Sequence, residues 1–117
     1  MSGSVHGLGS VATLVGKIRA ALTDDLRRPP WRGNPNPLAG HCYVACEALF
    51  HATGRRLRPH FVRHEGAPHW FLRDARGNVI DPTAGQFQST PDYAQGRGKG
   101  FLTQKPSKRA AIVLARL

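Results

Sequence analysis

The 117-residue sequence has few cysteines and no long apolar run, and each shortage excludes a class of protein. Two cysteines, Cys42 and Cys46, are too few for a disulfide framework. They lie four residues apart in a predicted helix, where side chains rarely meet disulfide geometry, so reduced thiols are the simpler interpretation. No apolar stretch approaches the ~18–20 residues that span a bilayer, and residues 1–9 lack the pattern of a signal peptide. We therefore expect a cytoplasmic protein without a membrane span, with a flexible leader at residues 1–9.

Acidic residues are also scarce. Seven Asp and Glu face seventeen Lys and Arg, which gives a net charge of +10. Such a surface attracts nucleic acid, acidic proteins and other polyanions, although the charges are scattered along the chain rather than gathered on one helix. Because seven acids cannot pair seventeen bases, the sequence predicts that most arginines are exposed to solvent.

The chain is long enough for one core, and 40% of its residues are hydrophobic, so residues 10–117 are predicted to form a single domain. Apolar residues at spacings of three and four predict a helix from Ser10 to Arg28, which Pro29 ends. A second helix is predicted from about residues 40–42 to Thr53, followed by Gly54 in the left-handed conformation. Its Glu47 and His51 are expected on the outer face, and its inner stripe is expected to be Cys42, Ala45, Cys46, Leu49 and Ala52. A short final helix begins after Ser107.

Between the helices the pattern changes to that of strands. Residues 56–63 predict a strand, and Pro59 suggests that it lies at the edge of its sheet. Residues 69–73 and 78–81 predict two more strands, and the chain from 82 to 100 is expected to be irregular, with a mobile basic loop at 96–100. The predicted fold class is α+β, with helices packed on a small antiparallel sheet.

The connection between the second and third strands predicts their register. If residues 75–77 form a three-residue loop with Gly77 in the left-handed conformation, Asp74 pairs with Asn78. Phe71 then lies opposite Asp81, and His69 is the diagonal neighbour of Asp81 on the same face. A slip of one residue would separate the imidazole from the carboxylate.

Three residues in this arrangement suggest nucleophilic catalysis. Cys42 is expected at the start of a helix, where the dipole and free amide groups favour the thiolate. His69 can take the thiol proton and return it to a leaving group, and Asp81 can orient the imidazole. Backbone amides near Cys42 can bind a developing oxyanion. The chemistry indicated is attack on an acyl carbon–nitrogen or carbon–oxygen bond.

The order of these motifs resembles that of the transglutaminase-like, papain-related cysteine enzymes. The resemblance covers residues 38–84 and rests on Gly40-His41-Cys42 opening a helix, His69-Trp70 on a strand, and Asp81-Pro82-Thr83 after a hairpin. It implies a small papain- or transglutaminase-like core and a Cys42–His69–Asp81 triad that needs no cofactor. It further implies hydrolysis, deamidation or transamidation of a protein or peptide-like amide. We expect the substrate cleft to be lined by His41, Tyr43, Trp70, Tyr93, Arg97 and Lys99.

Other interpretations remain open at this point. Considered alone, Cys42 could be a small hydrophobic residue of the core. The alternative function for the whole chain is that of a basic protein without catalytic activity, which binds nucleic acid or an acidic protein. Gly96 to Gly100 alternates glycine and base, which can bind a phosphate, but no strand–loop–helix pattern accompanies it. The histidines and cysteines contain neither a Cys-x-x-Cys nor a His-Glu-x-x-His motif, so no metal site is predicted.

Overall fold

The computed structural model describes residues 10–117, so the predicted leader at residues 1–9 lies outside the described part. The described chain contains three α-helices and a four-stranded antiparallel sheet, which confirms the α+β fold class. The elements are α1 Val11–Ala21, α2 Cys42–Ala52, β1 Arg58–His64, β2 Ala67–Arg73, β3 Val79–Ile80, β4 Arg97–Gly98 and α3 Lys108–Ala115.

Helix α1 begins as predicted but ends early. The Ser10 side chain accepts a hydrogen bond from the Thr13 amide at 3.1 Å, which caps the helix. The helix ends at Ala21 instead of Arg28, and residues 24–26 form a separate 3-10 turn. Thr and Asp side chains compete with the helix by bonding nearby backbone, and Asp24 accepts from the Gly33 amide at 2.8 Å. The apolar periodicity that continues to Leu26 therefore reflects burial of a turn rather than of a longer helix.

Helix α2 has the predicted bounds, and Gly54 after it has a φ of +70°. It packs against β2, α1 and α3. Six consecutive residues, Val44 to Leu49, are therefore buried, and the buried surface is wider than the single apolar stripe that the sequence predicts. The prediction that Glu47 lies on the outer face is wrong, since this residue is 1% exposed. Its carboxylate accepts hydrogen bonds from the Ser107 amide and hydroxyl, both at 2.7 Å, and so joins α2 to the start of α3.

The strands lie in the order β3-β2-β1-β4. Pro59 predicted that β1 lies at an edge of the sheet, and this is wrong because β4 pairs with its outer side. The strand β4 itself belongs to the segment 96–100 that was expected to be a loop. Pro59 is tolerated because β4 pairs only with His60 and Phe61. The Lys99 amide also donates to the Pro59 carbonyl at 3.0 Å, which fastens the expected mobile loop to the sheet.

The register of β2 and β3 is the predicted one. Leu72 pairs with Ile80, and the Asp74 amide donates to the Asn78 carbonyl at 3.0 Å. Gly77 has a φ of +84°, the left-handed conformation that the three-residue loop requires. Continued by one residue, this register places Phe71 level with Asp81.

Nine of the thirteen arginines are exposed, as predicted, and Arg27 is the one that is buried. The Arg27 guanidinium donates to the carbonyls of Trp31, Asn34 and Asn36, which shapes the loop between α1 and α2. Among residues 10–117, none of the helices has the length and apolar character needed to cross a membrane.

Candidate active site

The nucleophile candidate, Cys42, is the first residue of α2 and is partly exposed. The first amides of a helix have no partner within it, so the helix start presents donors beside the thiol. Gly40 has a φ of +78°, and a Cβ at this position would lie 2.5 Å from the Cβ of Trp31. Only glycine allows this close approach, which brings the Trp31 ring to the entrance of the helix.

His69 and Asp81 meet as the hairpin register predicts. Nε2 of His69 lies 2.6 Å from Oδ2 of Asp81, and the two side chains are 1% and 5% exposed. Nδ1 of His69 is also buried, and it has no hydrogen-bond partner in the described part of the chain. Since Asp81 occupies Nε2, Nδ1 is the ring nitrogen that remains free to bond another group.

The Asp81 carboxylate is held by two further groups. Its Oδ1 accepts from the Thr83 amide at 3.1 Å, and its Oδ2 accepts from the Tyr93 hydroxyl at 2.6 Å. Burial and the hydrogen bond to Asp81 raise the pKa of Tyr93 far above its ordinary value, so the phenol stays a donor. Asp81 is thus fixed while it bonds the imidazole.

The charge state of His69 depends on its two acidic neighbours. Burial lowers the pKa of the imidazole, but interactions with the Asp81 carboxylate and the Cys42 thiol outweigh this and raise the pKa to about 9. Because α2 packs on β2, the Cys42 thiol at the start of α2 is one of the groups that raise the pKa of His69. The site favours the imidazolium at neutral pH, which is the form that accompanies a thiolate.

This shift predicts a pH dependence of stability. The pKa of His69 is about 9 in the folded chain and near 6.5 when unfolded, so protonation of His69 stabilises the fold. The stabilisation is fully present below pH 6.5 and is lost as the pH rises from 6.5 through 9. We expect the free energy of unfolding, measured by urea titration, to fall across this window in the unsubstituted protein. In His69→Ala this component of the fall should be absent, and equal slopes in both proteins would contradict the shift.

Cys42 lies in an open groove of about 220 Å³. Apolar and aromatic side chains form most of its walls, and Gln86 contributes a carboxamide. The Gln86 side-chain oxygen accepts from the Thr83 hydroxyl at 3.2 Å, and its amino group donates to no residue in the described range 10–117. The lining residues are Arg28, Trp31, Gly40, Cys42, Tyr43, Ala67, Pro68, Trp70, Gln86, Phe87 and Arg109.

Two of the expected cleft residues, Tyr43 and Trp70, line this groove, and Lys99 lines an adjoining pocket. The expectation for His41 is wrong. It is 1% exposed, and its ring nitrogens bond the carbonyls of Pro37 and Thr23 at 2.9 and 3.0 Å.

Tyr93 and Arg97 also lie elsewhere than expected. Tyr93 lines a separate pocket together with Asp81, so it supports the carboxylate and does not border the groove of Cys42. Arg97 is exposed in β4, where pairing with Phe61 fixes its backbone. The groove residues Arg28, Gln86 and Arg109 were missed by the sequence analysis. Gln86 lies three residues after Thr83 of the Asp81-Pro82-Thr83 turn, so its place near the site could have been predicted. Nothing in the sequence around Arg28 or Arg109 indicates that these residues reach the groove.

The second thiol, Cys46, is a core residue. It is 0% exposed, and burial raises the pKa of its thiol well above the ordinary value, with further contributions from Cys42 and Asp81. Only Cys42 of the two combines access to solvent with a position at a helix start.

Among residues 10–117, no three His, Cys, Asp or Glu side chains come together as metal ligands would. Comparison of the chain with protein families, with curated proteins and with solved structures gives no match. The function therefore has to be inferred from the site itself.

Proposed function

We propose that this protein is a cysteine-dependent acyl-transfer enzyme that acts on an amide or ester carbonyl. The observation that carries the proposal is the arrangement around His69. Its Nε2 is bound to Asp81 at 2.6 Å, while its buried Nδ1 finds no partner among residues 10–117, and the groove beside it holds a thiol at a helix start. His41, by contrast, has both ring nitrogens bonded to backbone carbonyls and has no carboxylate partner.

The geometry assigns a role to each group. Nε2 of His69 donates its proton to Asp81, and Nδ1 takes the Cys42 proton as the thiolate–imidazolium pair forms, so the imidazolium is the state from which the attack begins. The thiolate sulfur bonds to the acyl carbon, and the carbonyl oxygen becomes an oxyanion near the first amides of α2. Gln86 offers a second donor from the groove wall.

Collapse of the tetrahedral intermediate breaks the bond to the leaving nitrogen or oxygen, which takes the proton from His69. The product is a thioester on Cys42. Water resolves it to a carboxylic acid, which is hydrolysis or deamidation, whereas an amine resolves it to a new amide. These steps need no cofactor.

We also propose that the protein is related to the transglutaminase-like, papain-related enzymes, and the same geometry supports this. In this protein a helix supplies the nucleophile, and two adjacent antiparallel strands lead to the base and the acid. A thiol nucleophile works only when reduced, so we place the protein in a reducing compartment such as the cytoplasm.

A second candidate function is binding without catalysis. The exposed arginines favour it, because a net charge of +10 attracts nucleic acid or acidic proteins whether or not Cys42 is active. It does not account for the buried pairing of His69 with Asp81.

Acyl transfer can be tested without knowing the substrate. The protein is mixed with p-nitrophenyl acetate, and release of nitrophenolate is followed in time. We expect a rapid burst of about one equivalent, and peptide mapping should find the acetyl group on Cys42 as a thioester that hydroxylamine removes. Acetylation confined to lysines, without a burst, would contradict the proposal. Binding alone would then be the better interpretation, to be examined by salt-dependent retention on heparin.

A further inference from the structure

A second pocket adjoins the groove of Cys42. It encloses about 250 Å³ and shares Arg28, Tyr43, Trp70 and Arg109 with the groove. Its remaining lining consists of Lys99, Gly100 and Leu102. Three cationic side chains therefore surround one pocket that opens beside the nucleophile.

The positive charge of this pocket is not neutralised by direct ion pairs. The ion pairs found within residues 10–117 involve other cations, namely Arg27, His64, His69 and Arg116. The carboxylate that acts on Arg109 is that of Glu47, and both of its oxygens already accept from Ser107. Arg109 donates to the Leu26 carbonyl at 2.7 Å, which fixes its guanidinium at the pocket.

Two of the cations, Arg28 and Arg109, also oppose one another. Burial lowers the pKa of Arg109, and the charge of Arg28 lowers it further. Like charges held together in a partly buried site are stabilised when an anion enters between them. The pocket thus has the electrostatics of an anion site.

We propose that this pocket, formed by Arg28, Lys99 and Arg109, is a subsite for an acidic side chain, and that the acyl donor is a peptide segment with Asp or Glu near the reacting carbonyl. The inference rests on the proposed acyl transfer and names its class of substrate. Guanidinium groups bind carboxylates through paired hydrogen bonds, and Leu102 gives the methylene groups of the ligand an apolar surface.

The aromatic residues favour a peptide over a nucleic acid. Single-stranded nucleic acids bind by stacking bases on open aromatic faces. The Trp70 ring, however, already stacks on Phe101 at 5.5 Å between centroids, meets Tyr43 edge to face at 4.9 Å, and lies 6.0 Å from Phe61. Of these rings Tyr43 and Trp70 line the pocket, and the faces of Trp70 are already in contact with its aromatic neighbours.

The test compares two reagents that attack the same thiol, in a Cys46→Ala background. Iodoacetate carries a carboxylate, whereas iodoacetamide of nearly the same size is neutral. We expect the ratio of their rate constants at Cys42 to fall roughly threefold in Arg28→Gln and in Lys99→Gln, and about tenfold in the double variant. Both side chains are exposed, so the substitutions leave the packing in place.

Arg56→Gln is the matched control. This exposed arginine lies beyond the C-terminal end of α2, and that end is about 15 Å along the helix from Cys42. The substitution removes the same charge. We expect it to leave both rate constants unchanged. A ratio that falls equally in Arg56→Gln, or that stays constant in the double variant, would overturn the subsite.

A separate outcome reports on the proposed function alone. If iodoacetamide reacts with Cys42 of the unsubstituted protein no faster than with free cysteine at the same pH, the thiol is not activated and acyl transfer itself fails.

The class of ligand is tested by measuring how well a ligand protects Cys42 against iodoacetamide. A glutamine peptide flanked by glutamates should protect better than its neutral counterpart and better than an oligothymidylate of equal charge. Stronger protection by the oligonucleotide would overturn the acidic peptide.

Discussion

Replacing Cys42 by Ala is expected to abolish the acetylation burst and all turnover, because no other accessible thiol lies beside His69 within residues 10–117. Cys42→Ser should be equally inactive, since a serine hydroxyl is far less acidic than a thiol and the site is built around an easily ionised sulfur. The fold should survive both changes. Cys42 is partly exposed at a helix start and contributes little packing, so thermal melting should change little.

Cys46→Ala provides the control for this prediction. Cys46 lies one turn further along the same helix and is 0% exposed. Its replacement should keep the burst while lowering the free energy of unfolding by roughly 1 kcal/mol or somewhat more, as for other truncated core side chains. Rapid alkylation of Cys46, or a burst that persists in Cys42→Ala, would show that the nucleophile has been misassigned.

His69→Ala is expected to lower the acylation rate roughly 10²–10⁴-fold, the range lost when a general base is removed. Without the imidazole, the thiol at neutral pH is mostly protonated, and the leaving group receives no proton. The measurement is the rate of Cys42 alkylation and of the burst as a function of pH. His51→Ala near the end of α2 removes the same side chain away from the groove and should leave the rates unchanged.

Asp81→Asn completes this comparison. The amide can still accept from Nε2 of His69, so we expect a loss that is comparable to or milder than that of His69→Ala. The pH profile separates the two variants, because removal of the carboxylate removes an interaction that raises the pKa of His69. If His69→Ala leaves the reactivity of Cys42 unchanged, the triad is wrong and the protein acts by binding.

The parts of the site that could be predicted were those set by local geometry. The length of the loop before Asn78 and the glycine at 77 fix the hairpin register, and this register brings His69 to Asp81. The helix start at Cys42 follows from the glycine and prolines before it and the apolar pattern after it. Such features depend on neighbours within about a dozen residues.

The errors arose where a distant segment supplies the partner. Glu47 looked like a surface residue because the groups that satisfy it belong to Ser107, sixty residues away. His41 looked like a cleft residue until the loop shaped by Arg27 enclosed it. Periodicity along the chain says which side chains are polar, but not which later segment will pack over them.

The distance along the chain between the members of the proposed triad has a consequence for biosynthesis. His69 and Asp81 are twelve residues apart in one hairpin, so they can meet as soon as that hairpin forms. Cys42 joins them only when α2 docks on β2. A nascent or partly unfolded chain would therefore carry an ordinary, unreactive thiol, and the chemical reactivity of Cys42 would report completed folding.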